Sequence, residues 1–138
     1  MKLMTILFIF VALPASGQVK ENLQRYSPHQ VLDAIIYVES REIPTAYNRD
    51  EPEAVGILQQ FPVYVRDVNR ISGRKYKLSD RRNPIKAVEM FWIYQGYYNP
   101  SGDVEKMIRI HSGGPDGWKE DCTLDYLQLV KNRLYETR

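Results

Sequence analysis

Four short segments hold the residues best suited to chemistry: Glu39-Ser40, Gly56-Ile57-Leu58-Gln59-Gln60, His111-Ser112-Gly113-Gly114-Pro115, and Tyr126. Glu39 is the group among them that can donate and recover a proton. It closes a stretch in which Val31, Leu32, Ile35, Ile36 and Val38 recur at helical spacing, so its carboxyl can lie against apolar surface in a cleft. Shielding a carboxyl from water disfavours its charged form, which is what a proton donor working near neutrality needs. A positioned acid of this kind contributes typically ~10²–10⁴-fold in rate. Taken alone, a glutamate at a helix end is more often solvated, so the case for Glu39 rests on the segments around it.

Other chemistries find little footing. A single cysteine, Cys122, excludes an internal disulfide framework and any site built from several thiolates; its simplest reading is a small buried hydrophobe. The two histidines, His29 and His111, are far apart and share no metal-ligand spacing. His-Glu-x-x-His, the Gly-x-Ser-x-Gly elbow and the phosphate-binding loop ending in Lys-Ser/Thr are all absent. No metal and no cofactor is expected.

The four segments, in this order and at compatible spacing from about Gln30 to Lys131, resemble the soluble lytic transglycosylase and goose-type lysozyme family. That family carries a Glu-Ser pair at a helix end, a Gly-Leu-Met-Gln segment, a Tyr-Asn-Ala-Gly segment and a later Tyr near a Val. Here Leu58 stands for the Met, and His111 and Ser112 stand where the family prefers Tyr and Asn. The resemblance implies cleavage of peptidoglycan between N-acetylmuramic acid and N-acetylglucosamine, with Glu39 as the only acid and base. Lytic transglycosylases close a 1,6-anhydro ring with the sugar's own 6-hydroxyl, assisted by its N-acetyl group, and consume no water. Goose-type lysozymes hydrolyse instead. The acidic loop with Glu42, Asp50, Glu51 and Glu53 leaves that route open, though a solvated loop is its simpler reading. A glycan-binding module without turnover and a helical adaptor are the competing readings from other classes.

The resemblance also implies supporting roles. Ser40 would hold Glu39 or the reacting N-acetyl group, or simply close the helix with a backbone hydrogen bond. Gln59 and Ser112 would contact sugar, Gly56 would turn the backbone tightly beside the substrate, and Gly113 and Gly114 would let backbone approach it. Tyr126 would donate its phenol to Glu39, or pack in the core. Tyr94, Tyr97 and Tyr98 suit either core packing or sugar stacking, and Trp118 is the better candidate for an exposed sugar platform.

The elements that must position these residues are helices. Ser27-Pro28 and Asn83-Pro84 each read as an N-cap followed by proline at the first helical position. The first helix runs to about Glu39-Ser40. Pro62 opens a second, stopped near Gly73. The third presents Val88, Phe91, Trp92 and Gln95 on one face and ends at Gly96 and Asn99-Pro100. Asp103 caps a short helix through His111, and Ser112-Gly113-Gly114-Pro115 cannot be helix interior. Thr123 caps a last helix with Leu127, Val130 and Leu134 inward. Gly56 to Gln60 is a short strand or a turn. Arg74 to Arg82 is a basic solvated loop able to touch anionic wall polymers. The expected fold is mostly α: a single compact lysozyme-like domain with a substrate groove.

The chain has 138 residues, room for one domain, with 19 Lys+Arg against 17 Asp+Glu. A net charge of +2 does not single out nucleic acid as a partner. Residues 1–17 run from Lys2 through the apolar Leu3–Leu13 to Pro14 and Ala15-Ser16-Gly17, the order of a secretory signal peptide. The expectation is therefore an exported domain of residues 18–138, in the periplasm or outside the cell. Its expected partner is the peptidoglycan glycan strand, and it is expected to be a monomer. An enzyme of this kind can also serve an envelope-spanning machine.

Overall fold

The computed structural model describes residues 23–137; residues 1–17, expected from their sequence to be a signal peptide, lie outside them. Five α-helices carry the fold: α1 (Pro28–Ser40), α2 (Pro62–Ser72), α3 (Pro84–Tyr98), α4 (Val104–Gly113) and α5 (Leu124–Glu136). Short 3₁₀ turns at Leu78–Arg82, Gly117–Lys119 and Asp121–Thr123 join them. No strand forms among the described residues, only isolated bridges from Val55 to Tyr47 and to Gln60.

The helix starts follow from local chemistry. Ser27 and Gln30 form a capping box, each side chain accepting from the other's backbone N–H. The Asn83 side chain accepts from the N–H groups of Ile85 and Lys86, and Asp103 accepts from Lys106. Helix α1 packs on α5 and α4, and α2 packs on α3. The larger core joins Val31, Leu32 and Ile35 of α1 to Leu58, Phe91, Ile108, Val130 and Leu134. A smaller core, Val65, Val68, Met90, Tyr94 and Ile110, seats α2 against α3 and α4.

Several expectations need correction. In α3 the buried face is Ala87, Met90, Phe91, Tyr94 and Gln95, with Val88 and Trp92 at its edge. The helix has cores on two sides, and Met90 and Tyr94 serve the smaller one. It also continues through Gly96 to Tyr98. Ser112 and Gly113 belong to the last turn of α4, which ends where Gly114 adopts a positive φ. Thr123 makes no side-chain cap. Its buried hydroxyl bonds the Gly117 and Glu120 carbonyls and accepts from Arg109 Nε, pinning the loop before α5. Cys122 is exposed rather than buried. The basic stretch is not free loop: Arg81 is buried, its guanidinium donating to the carbonyls of Leu78, Glu53 and Gln60.

Candidate active site

Glu39 sits on the last turn of α1. The chain leaves that helix through Arg41 and Glu42, both with positive φ (53° and 66°), which turns it sharply away from the helix axis. Ser40, buried, reaches the Ile36 carbonyl at 3.1 Å and the Ile57 carbonyl at 2.9 Å, so the end of α1 is tied to the Gly56–Gln60 turn. The Glu39 side chain remains 18% exposed, enough to meet a ligand and too little for free hydration.

Two side chains converge on one of its oxygens. Tyr126, on the first turn of α5, donates its hydroxyl to Glu39 Oε1 at 2.6 Å. His111, on the last turn of α4, places Nε2 3.1 Å from the same oxygen, with only 5% of its side chain exposed. Its ring lies between Phe91 (5.8 Å between centroids) and Tyr126 (6.3 Å), and its Nδ1 is buried without a partner. Burial, then the neighbouring Glu39 carboxyl, pushes the Tyr126 phenol well above its ordinary range, so it stays protonated and acts as a donor.

These side chains face a groove of about 1040 Å³ that runs from the end of α1 past α4 and α5 to α2 and α3. Glu39, His111 and Tyr126 lie on its wall together with Gln59, Ser112, Gly113 and Gly114. Its far part is aromatic and charged. Tyr64 stacks on Tyr94 at 4.2 Å, and Asp67 accepts from Tyr98 at 2.5 Å and from Arg70. Of the acidic loop, Glu51 lines this groove; Glu42, Asp50 and Glu53 are not on its wall.

The sequence-predicted residues divide by what they touch. The Ser40 hydroxyl is engaged with two backbone carbonyls, not with Glu39. Gln59 lines the groove in a left-handed conformation (φ 46°), and its amide N–H groups go to the Ala46 and Gly56 carbonyls, which leaves its oxygen for a ligand. Gly56 is buried away from the groove wall: with φ +84°, a Cβ there would overlap the Arg81 carbonyl oxygen. Gly113 faces the Thr123 methyl at a distance too short for a normal Cβ contact, whereas Gly114, also positive in φ, has open space. Trp118 lies outside the groove, beside Lys106 and Lys119, in a separate depression over α4. Of the tyrosine cluster, Tyr94 and Tyr98 reach the groove and Tyr97 does not.

The residues that the sequence reading left without a role are His111, Tyr64 and Asp67. His111 was visible only as a departure from a Tyr. Its arrival at Glu39 depends on the crossing of α4 over α1, which spacing alone does not give. Among the described residues no group of three His, Cys, Asp or Glu side chains is placed to hold a metal ion.

The transglycosylase SLT domain matches residues 18–106. The chain belongs to this family. Its members are peptidoglycan-active domains of the lytic-transglycosylase type, and their substrate class is the peptidoglycan glycan strand. The match takes in Glu39, Ser40, Gly56 and Gln59 and stops before His111 and Tyr126. The family match therefore does not reach the two residues that approach Glu39 from α4 and α5. No curated protein and no solved structure matches the chain.

Proposed function

We propose that this SLT-domain protein is a peptidoglycan lytic transglycosylase, cutting the β-1,4 bond between N-acetylmuramic acid and N-acetylglucosamine with Glu39 as its only acid and base. The observation that carries the reading is the Glu39 carboxyl, anchored by the Tyr126 hydroxyl at 2.6 Å on the wall of a groove of about 1040 Å³. In the first step the carboxyl gives its proton to the bridging oxygen. The bond from that oxygen to the muramic C1 breaks, and the electron pair leaves with the departing sugar. In the second, the 6-hydroxyl oxygen bonds to C1 while its proton returns to the Glu39 carboxylate. The product ends in a 1,6-anhydro ring and the acid is restored. The protein is proposed to act after export, its first 17 residues serving as the signal.

Hydrolysis is the second reading, favoured by Glu51, which brings a further carboxylate to the groove that holds Glu39. One experiment separates the outcomes: purified protein and its Glu39→Gln variant are incubated with wall sacculi and the released fragments are weighed by mass spectrometry. Anhydro-ended muropeptides, falling at least about 100-fold in the variant, are the expected result. Reducing ends mean a hydrolase. Binding without release in both proteins means a glycan-binding module, and no binding means an adaptor.

A further inference from the structure

We propose that His111 is a positioning residue for the acid: as a neutral imidazole with its hydrogen on Nε2, it holds Glu39 Oε1 together with Tyr126 and so assigns the catalytic proton to Oε2. The inference rests on the reading of Glu39 as the acid and goes beyond it by giving each carboxyl oxygen a separate duty.

Three observations carry it. The Tyr126 hydroxyl and His111 Nε2 reach the same oxygen, Oε1, from different helices. Oε2 has no protein partner among the described residues and is not among the buried unpartnered atoms, so it is the oxygen left open to a ligand. The third is the Nε2 contact itself, which favours one tautomer. His111 Nδ1 is buried without a partner and is unmatched in either tautomer. With the hydrogen on Nδ1, however, Nε2 would meet Oε1 as an acceptor facing an acceptor whenever the carboxyl is ionised. With the hydrogen on Nε2, the imidazole donates to Oε1 in both states of the acid. A carboxyl protonated at Oε2 presents a carbonyl oxygen to the two donors; the carboxylate presents an oxygen with room for both. The donors thus need no rearrangement between the two proton transfers, the condition under which fixed dipoles assist a reaction best. Phe91 backs the ring and excludes water from that side.

The tautomer is tested by nitrogen NMR, which distinguishes a protonated from an unprotonated ring nitrogen. The chain has two histidines, so a His29→Gln variant assigns both sets of signals. The expected result is a neutral His111 with its hydrogen on Nε2 and an Nε2 signal that moves in Glu39→Ala. A hydrogen on Nδ1, or a signal indifferent to Glu39→Ala, overturns the proposal. This readout stands even if sacculi release no product, so it fails independently of the proposed activity. Kinetics supply the second arm. His111→Gln can offer an amide N–H where Nε2 stood, whereas His111→Leu fills space without a donor. Leu is expected to lower kcat about 10- to 100-fold with little change in KM, and Gln to restore it to within several-fold of the parent. Equal kcat in the two variants overturns the assignment of a hydrogen-bonding role.

Discussion

At Glu39 Oε1 the two donors differ in kind. The Tyr126 phenol is kept protonated by burial and by the carboxyl it faces, so it remains a donor at and above neutral pH. Tyr126→Phe keeps the ring and removes a hydrogen bond worth about 0.5–1.5 kcal/mol to the neutral acid and about 1.5–3 kcal/mol to the carboxylate that forms as the proton leaves. Turnover on sacculi should fall about 10- to 100-fold, and circular dichroism should show an unchanged fold; full activity in the variant would exclude a part for the phenol. Ser40 leads to the opposite expectation. Its hydroxyl serves the Ile36 and Ile57 carbonyls, so Ser40→Ala should cost about 1–2 kcal/mol in denaturant unfolding and leave kcat within a few-fold. A large kcat loss at unchanged stability would return Ser40 to the chemistry.

Among the elements, the Gly56–Gln60 turn does most to align the site, because it receives the end of α1 through Ser40 and is clamped from below by Arg81. The guanidinium of Arg81 bonds the carbonyls of Glu53 and Gln60, and its own carbonyl occupies the space that a Cβ on Gly56 would need. Gly56→Ala meets both that overlap and a φ of +84°, and should cost about 3 kcal/mol or more. Gly73→Ala is the control: it shares a positive φ but has open space, and should cost only about 1 kcal/mol. Comparable midpoints for the two variants in urea unfolding would remove the Arg81 contact as the cause. This turn also marks the boundary of what the chain discloses in advance. The starts of α1, α2, α3 and α4 are written in neighbouring residues, Ser27-Pro28, Pro62, Asn83-Pro84 and Asp103, because capping is a local interaction. The Arg81 clamp and the Arg109–Thr123 bond join residues 21 to 28 and 14 positions apart, through a buried guanidinium in each case. Arginines in a basic stretch read as solvated until the fold closes over them. Glu39 and Tyr126 were legible as a pair through ordered motifs. His111 was not, because its partner lies on a different helix and no spacing rule links them.

Over the whole molecule, the groove and the smaller core share buried phenols, and this gives the domain a weakness in alkali. Tyr64, Tyr94 and Tyr126 are all pushed upward from the ordinary tyrosine range, in each case first by burial. In the unfolded chain the same side chains release their protons near pH ~10. A group whose pKa is higher in the folded state binds its proton more tightly there, so its contribution to stability is complete below pH ~10. It is lost as the pH climbs from that value toward the folded pKa, because only the unfolded chain then ionises. Each affected tyrosine should remove about 1.4 kcal/mol per pH unit above that point. Urea midpoints measured from pH 8 to about 11.5 should therefore hold steady and then fall steeply, and the fall should be shallower in Tyr126→Phe and in Tyr94→Phe. A decline of the same slope in both variants as in the parent would show that other groups govern alkaline unfolding. The two variants also separate the two sites of burial, since Tyr126 reports on the junction of α1, α4 and α5 around Glu39 and Tyr94 on the seat of α2. If the Tyr94 variant alone flattens the curve, Tyr126 titrates in the folded chain as it does in the unfolded one, and Glu39 should lose its phenol donor near pH ~10 while the α2 side is still closed.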